Sequence, residues 1–204
     1  MKLELTEEQK KELEDIKNRA AKIHNDTNQK YDNDREYSFH LCMVADIMTR
    51  YFDDLGELPD YDLYKMLYFA ALFHDSIEDA RLTYNDVLSI ANEYMSKGYA
   101  KASTEIVYAL TNEKGRTRKE RANEKYYSGI RSTKFAPFIK ACDRLANITY
   151  SCLYSKSDRM AKVYKSELND FLDAIDEKGN KVPKRLIKEM KLTLGVEDNE
   201  SSKS

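Results

Sequence analysis

Apolar residues recur every three or four positions through most of the chain, which is the spacing of amphipathic α-helices. A highly charged opening segment over residues 6–31 has apolar residues at this spacing: Leu13, Ile16, Ala20 and Ile23. Thr6 and Gln9 match a capping box, in which the two side chains and the two backbone N–H groups bond reciprocally. We therefore predict an amphipathic opening helix with Thr6 as its N-cap.

The turn-forming segment YDNDREY precedes a second predicted helix, capped by Ser38 and ending near Gly56. The same periodicity predicts further helices over residues 62–79, 83–98, 100–112, 117–131, 134–153, 157–175 and 183–194. No segment alternates apolar and polar residues as a half-buried strand does. The predicted fold class is an all-α bundle of eight or nine helices without a substantial sheet.

A chain of 204 residues with 41% hydrophobic and 34% charged residues is typical of one folded domain, which we place at residues 1–196. The polar segment over residues 197–204 is predicted to be disordered. A formal net charge of -2 provides no global attraction to nucleic acid or to an anionic membrane surface. The apolar stretch over residues 66–73 is too short to span a bilayer, and the N-terminus lacks the apolar core of a signal peptide, so we expect a cytoplasmic protein.

The three cysteines, Cys42, Cys142 and Cys152, have no C-x-x-C spacing. Their odd number and their spacing argue against a disulfide framework and against a zinc knuckle. We expect them to be small core residues.

The segment FAALFHDSIEDA, residues 69–80, passes abruptly from apolar to ionisable side chains. If the helix continues, His74 lies above Glu78 and Asp75 above Asp79, because residues four apart share a helix face. Burying such charges costs several kcal/mol per ion unless they are paired or bind a cation. The alternative is that the helix emerges into solvent at His74, and helix physics alone leaves both interpretations open.

Two further polar residues lie on apolar helix faces. His40 shares its face with Val44 and Ile47, and Asp143 shares its face with Ile139. Taken alone, His40 is typical of a hydrogen-bonded core histidine, and Asp143 of a salt-bridge partner. Together with His74 and Asp75, however, they supply two imidazoles and two carboxylates from three helices, a set suited to Mn²⁺, Fe²⁺ or Mg²⁺.

This order, H…HD…D, resembles the HD-domain metal-dependent phosphohydrolases. Within that superfamily, AALFHDSIEDARLT is similar to the HD-x-x-ED segment of the RelA/SpoT-type alarmone hydrolases, and KACDRLANI is similar to their KLADRLHNM segment. The resemblance covers residues 20–155 and leaves residues 157–194 as a C-terminal helical extension. Because no synthetase region follows, the chain resembles the small, stand-alone type of alarmone hydrolase.

The resemblance implies a metal-dependent hydrolase for a nucleotide substrate. It implies that His40, His74, Asp75 and Asp143 bind one divalent ion, with Mn²⁺ as the first expectation. It also implies that Glu78 and Asp79 orient or deprotonate the attacking water. The family reaction removes the 3′-pyrophosphate from guanosine tetra- or pentaphosphate and leaves GDP or GTP and pyrophosphate.

The resemblance also suggests substrate contacts. Asn147 follows the last ligand by one helical turn, and Tyr37 matches the tyrosine of the family pattern PYIxHP. An anionic substrate needs cationic partners, and the chain offers these candidates: Lys30, Arg35, Arg116, Arg118 and Arg144. Each cation taken singly is equally typical of a solvated helix face.

Three departures from the family pattern fall at expected substrate positions: Leu41 replaces a proline, Ala80 a threonine, and Thr149-Tyr150 an Arg-Thr pair. They leave two alternatives open, an HD phosphohydrolase for another nucleotide and a catalytically silent HD-fold module that binds a nucleotide or a protein. A nucleic-acid-binding protein is disfavoured by the net charge. The oligomeric state stays open.

Overall fold

The computed structural model describes residues 3–27, 30–32, 35–58, 60–112 and 115–196, without the side chains of residues 118 and 119. In this part of the chain the fold is all-α apart from one two-stranded ribbon, which confirms the predicted fold class. The segment predicted to be disordered, residues 197–204, lies outside the described residues.

The described residues form ten α-helices, and nine of them are longer than a single turn. They are α1 (Glu7–Asn25), α2 (Ser38–Tyr51), α3 (Tyr61–Phe73), α4 (Tyr84–Tyr94), α5 (Lys97–Leu110), α6 (Arg118–Arg121), α7 (Glu124–Ser132), α8 (Ala136–Leu153), α9 (Arg159–Ile175) and α10 (Lys184–Thr193). The ribbon pairs β1 (Lys30–Tyr31) with β2 (Arg35–Glu36) in antiparallel register.

The opening helix begins as predicted but ends earlier. The capping box is present, with the Thr6 backbone N–H donating to Gln9 Oε1 at 2.9 Å and the Gln9 N–H to Thr6 Oγ1 at 3.2 Å. The helix ends at Asn25 rather than near Tyr31, because the following residues enter the ribbon. Asp32, next to the ribbon, has a φ of 52°, a left-handed conformation that aspartate tolerates better than most residues.

Two other helix boundaries differ from the prediction. The N-cap of α2 is Tyr37, and Ser38 is already helical, so Ser38 is not the cap. The helix predicted over residues 117–131 is divided into α6 and α7. Its division has a local cause: the side chain of Asn123 accepts a hydrogen bond from the Tyr126 N–H at 3.1 Å and so caps a new helix start.

The central helix α2 packs against both α3 and α8. One cluster of buried side chains includes residues from Leu13 in α1 to Leu194 beyond α10. Within it, the rings of Phe69 and Phe73 stack at 4.1 Å in α3. The core expectation for the cysteines is correct only for Cys142, because Cys42 is half-buried and Cys152 is exposed. The residues predicted to bind a metal lie on α2, on α8 and directly after the end of α3.

The connection between α9 and α10 depends on a buried carboxylate. Asp176 accepts three backbone N–H groups, from Asn180 at 3.1 Å, Lys181 at 2.7 Å and Val182 at 2.9 Å. We expect Asp176→Ala to lower the free energy of unfolding by about 2 kcal/mol, because the buried N–H of Val182 loses its partner. Urea denaturation measures this change. Asp173→Ala, an exposed position on α9, is the matched control, and equal losses in the two variants would contradict the assignment.

None of the helices in the described part of the chain combines the length and the apolar character needed to cross a membrane.

Candidate metal centre

Helix α3 ends at Phe73, so the predicted continuation to Asp79 is wrong. Residues 74–79 form consecutive turns, in which the Asp79 N–H still donates to the Asp75 carbonyl at 2.8 Å. The chain does not emerge into solvent at this point, because the side chain of His74 is only 1% exposed. The helix therefore ends where the charged residues begin, but the first of them, His74, still lies in the interior.

Four side chains converge here, two from this turn and one each from α2 and α8. His74 Nε2 lies 2.9 Å from Asp75 Oδ2 and 3.3 Å from His40 Nε2, which α2 supplies. Asp143 on α8 brings its Oδ1 to 3.3 Å from His40 Nε2 and 3.8 Å from His74 Nε2. His40 Nε2 and Asp75 Oδ2 are 3.7 Å apart. The structure thus brings together all four residues predicted to bind a metal.

The geometry and the donor set fit a single divalent ion. Donors about 2.1 Å from a common ion lie about 3.0 Å apart at right angles and about 4.2 Å apart when opposite. The five separations above, from 2.9 to 3.8 Å, fall close to or within this range. One ligand atom from each of His40, His74 and Asp75 lies within 4.8 Å of the other two, so this group could hold a metal. Two imidazoles with carboxylates suit a borderline to hard cation.

The electrostatics of the cluster couple its members. Burial disfavours the imidazolium of His74, but the charges of Asp75 and Asp143 and the hydrogen bonds of the ring together outweigh burial and raise the pKa of His74 to about 9. Burial alone would raise the pKa of Asp75, whereas the neighbouring His74 holds it below its usual value. Burial would also raise the pKa of Asp143, but Lys140 keeps it well below the usual value. Both carboxylates are therefore anionic, as metal ligands must be.

Other groups of the chain contact the rings of both histidines. The Nδ1–H of His74 donates to the Ala71 carbonyl at 2.8 Å, which turns Nε2 toward the cluster. The ring of Tyr31 stacks on His40 at 4.9 Å with an interplanar angle of 12°. His40 Nδ1 is buried and has no hydrogen-bond partner among the described residues.

Tyr37, predicted as a substrate contact, joins two carboxylates. Its hydroxyl lies 2.7 Å from Asp75 Oδ2 and 2.6 Å from Asp79 Oδ2. Burial and the two carboxylates raise the pKa of Tyr37, so its O–H is a permanent donor. Burial and the negative charge of Asp75 also raise the pKa of Asp79. Tyr37 therefore links a candidate ligand to one member of the predicted catalytic pair.

The predicted catalytic pair, Glu78 and Asp79, separates in the structure. Asp79 is half-buried and turns to Tyr37, whereas Glu78 is exposed and accepts from Asn112 Nδ2 at 2.8 and 3.0 Å. The two carboxylates are therefore in different environments, and only Asp79 connects through a hydrogen bond to a candidate ligand.

Asn147, another predicted substrate contact, bonds to the last candidate ligand. Its Nδ2 donates to Asp143 Oδ1 at 2.6 Å and to the Asp143 carbonyl at 3.1 Å. Its Oδ1 accepts from the Tyr31 hydroxyl at 2.9 Å. Asn147 therefore orients Asp143 and connects it to the ring that covers His40.

A pocket of about 540 Å³ adjoins the cluster, which is a typical volume for a small-molecule site. Its wall on α8 includes Asp143, Asn147, Lys140 and Arg144, and the other lining residues come from residues 112–127 and from α9. Arg144, a predicted substrate contact, lies 4.1 Å above the ring of Phe171, with Nη1 3.4 Å from a carboxylate oxygen of Glu167. Of the four candidate ligands, Asp143 borders this cavity.

The other predicted cations lie outside this pocket. Lys30 forms an exposed ion pair with Glu36. Arg35 lies 4.5 Å above the ring of Phe39 and borders a second pocket of about 410 Å³. Arg116 is exposed, and the side chain of Arg118 is outside the described residues. Of the predicted cations with described side chains, only Arg144 borders the pocket beside the cluster.

Sequence reasoning missed two residues of this region. Lys140 donates to Asp143 Oδ2 at 2.9 Å, and the K-x-x-D spacing on one helix could have indicated it. Burial alone would lower the pKa of Lys140, but Asp143 raises it above its usual value, so the ammonium is retained. His24 is 0% exposed and stacks on Tyr37 at 4.8 Å, and neither ring nitrogen has a partner among the described residues. Burial lowers the pKa of His24 to about 4, so the ring that stacks on Tyr37 is neutral.

No model of a known protein family matches the chain, and neither a curated protein nor a solved structure matches it. The candidate centre is therefore defined by its own residues and distances.

Proposed function

We propose that the protein is a metal-dependent phosphohydrolase that removes the 3′-pyrophosphate from guanosine tetra- or pentaphosphate. The observation that carries the proposal is the group of His40, His74 and Asp75, which could hold a metal, with Asp143 Oδ1 3.3 Å from His40 Nε2. The resemblance of their order to H…HD…D supports the reaction class. A divalent ion, Mn²⁺ by our proposal, would supply Lewis-acid activation of water and of a phosphoryl oxygen.

The chain's own groups have distinct roles in this proposal. Asp79 would be the acid-base group, because Tyr37 connects it to Asp75. Asn147 holds Asp143, and Asn112, which bonds Glu78, lines the pocket. The pocket receives the substrate beside the centre.

A second candidate is hydrolysis of a nucleotide with fewer phosphates. Three cationic side chains on the pocket wall, Arg121, Lys140 and Arg144, are matched by three acidic ones, Asp143, Glu167 and Asp170. A wall without net charge is less suited to a tetraphosphate than to a nucleoside monophosphate. Tyr150 is one of the residues that depart from the family pattern. Its hydroxyl donates to Asp32 at 2.8 Å, and both residues line the second pocket.

A nucleotide panel separates these candidates. We expect the purified, Mn²⁺-loaded protein to release pyrophosphate from ppGpp and not from GTP, as followed by anion-exchange chromatography and ³¹P NMR. Cleavage of a nucleoside monophosphate with ppGpp left intact would favour the second candidate. Background hydrolysis of every nucleotide, with no bound metal, would favour a silent binding module.

A further inference from the structure

Lys140 is a nearly buried cation on the wall of the pocket beside the candidate centre. Its side chain is 16% exposed, and its ammonium donates to Asp143 Oδ2 at 2.9 Å. The other oxygen of that carboxylate, Oδ1, faces His40 Nε2 at 3.3 Å. One carboxylate therefore separates the ammonium of Lys140 from the histidine cluster.

The charge balance around Lys140 changes when the centre holds a divalent ion. Asp75 and Asp143 together carry two negative charges, which a divalent ion would compensate in full. The ammonium would then share its carboxylate with a stronger cation, and a buried charge without a full counter-charge is strongly unfavourable. An anionic group in the adjoining pocket would restore the balance.

The second buried cation on this wall, Arg144, is less available to bind a substrate phosphate. The guanidinium of Arg144 lies 4.1 Å from the ring centre of Phe171 and 4.9 Å from that of Tyr164. It also has a carboxylate oxygen of Glu167 at 3.4 Å. Among the described cations of the wall, Lys140 is therefore the one that is both buried and next to the centre.

We propose, on the basis of the phosphohydrolase function proposed above, that Lys140 binds a phosphate oxygen of the substrate. The ligand class is a phosphate or pyrophosphate group in the pocket beside the centre. Lys140 then has two anionic neighbours, the Asp143 carboxylate and the substrate phosphate.

A purely structural role for Lys140 predicts different measurements. If the lysine only held Asp143 in place, its removal would weaken ion binding. If it binds phosphate, Lys140→Met removes a positive charge next to the centre, which does not weaken the binding of a cation. Metal affinity and phosphate affinity therefore separate the two roles.

The experiment titrates inorganic phosphate into Mn²⁺-loaded protein freed of excess ion, followed by ³¹P line broadening, with Mn²⁺ affinity measured separately. We expect Lys140→Met to weaken phosphate binding at least about 10-fold, because a hydrogen bond to a charged group is lost. Mn²⁺ affinity should not fall. Lys140→Arg keeps the charge and should retain most of the phosphate affinity.

Lys65 provides a matched control, because it is also nearly buried and pairs with Glu12 at 2.9 Å, outside the centre. Lys65→Met should lower the thermal midpoint without changing phosphate affinity.

Unchanged phosphate binding in folded Lys140→Met, or an equal loss of Mn²⁺ affinity, would overturn the inference. If Lys140→Met loses phosphate affinity while wild type hydrolyses no nucleotide, the proposed function fails and the phosphate contact stands. If wild type hydrolyses ppGpp and Lys140→Met binds phosphate as well as wild type does, the proposed function stands and only the inference about Lys140 fails.

Discussion

Asp75→Ala should bind Mn²⁺ at least about 100-fold more weakly than the wild-type protein, since the loss of a group that only orients a ligand already costs about 10- to 100-fold. Asp75 Oδ2 lies 2.9 Å from His74 Nε2 and 3.7 Å from His40 Nε2, so its removal opens one side of the cluster. Nucleotide hydrolysis should fall to background with the ion. Elemental analysis after gel filtration and isothermal titration with Mn²⁺ measure the loss directly.

Thermal unfolding gives an independent readout of the same variant. A ligand at 100 times its dissociation constant stabilises the folded state by about 2.7 kcal/mol. Mn²⁺ should therefore raise the thermal midpoint of the wild type and leave that of Asp75→Ala unchanged. Asp170→Ala is the matched control, because it removes a carboxylate from the same pocket wall without touching the cluster. Retained metal and activity in Asp75→Ala would refute the proposed centre.

The patterns that the sequence predicts correctly are local ones. The Thr6 capping box and the helical spacing around Leu13 and Ile16 depend on residues within two turns of one another, and both are present. The apolar faces of α2 and α8 also predict that His40 and Asp143 point into the interior, where both are buried. The four candidate ligands could be named because His40 and Asp143 lie on such faces and because the order of all four resembles a known pattern.

The contacts that the sequence could not predict join distant segments. The sequence does not indicate that Tyr37 reaches Asp79, 42 positions later, or that Glu78 turns instead to Asn112. Both depend on the end of α3 at Phe73, where continuous apolar periodicity predicted more helix. Lys140 was missed for another reason, since a lysine three residues before an aspartate is also common on solvated helix faces.

Tyr37→Phe should lower the affinity for Mn²⁺ by about 10-fold and lower kcat with it, because an outer partner of a ligand is lost. The substitution keeps the ring that stacks on His24 at 4.8 Å and removes only the hydroxyl that bridges Asp75 and Asp79. Without the bridge, the two carboxylates repel each other with no donor between them. Isothermal titration with Mn²⁺, and kinetics at saturating ion, separate the effect on binding from the effect on turnover.

The same variant tests the role that the family pattern suggests for Tyr37. A direct substrate contact predicts a raised KM with unchanged Mn²⁺ affinity, whereas a carboxylate bridge predicts weaker Mn²⁺ binding even without substrate. Tyr64→Phe is the matched control, because it removes the hydroxyl of another buried tyrosine, one that bonds Thr49 Oγ1 at 2.8 Å away from the centre. It should cost stability and leave Mn²⁺ affinity intact. Equal Mn²⁺ affinity in wild type and Tyr37→Phe would contradict the bridging role and favour a direct substrate contact for Tyr37. It would also remove the argument that connects Asp79 to the centre.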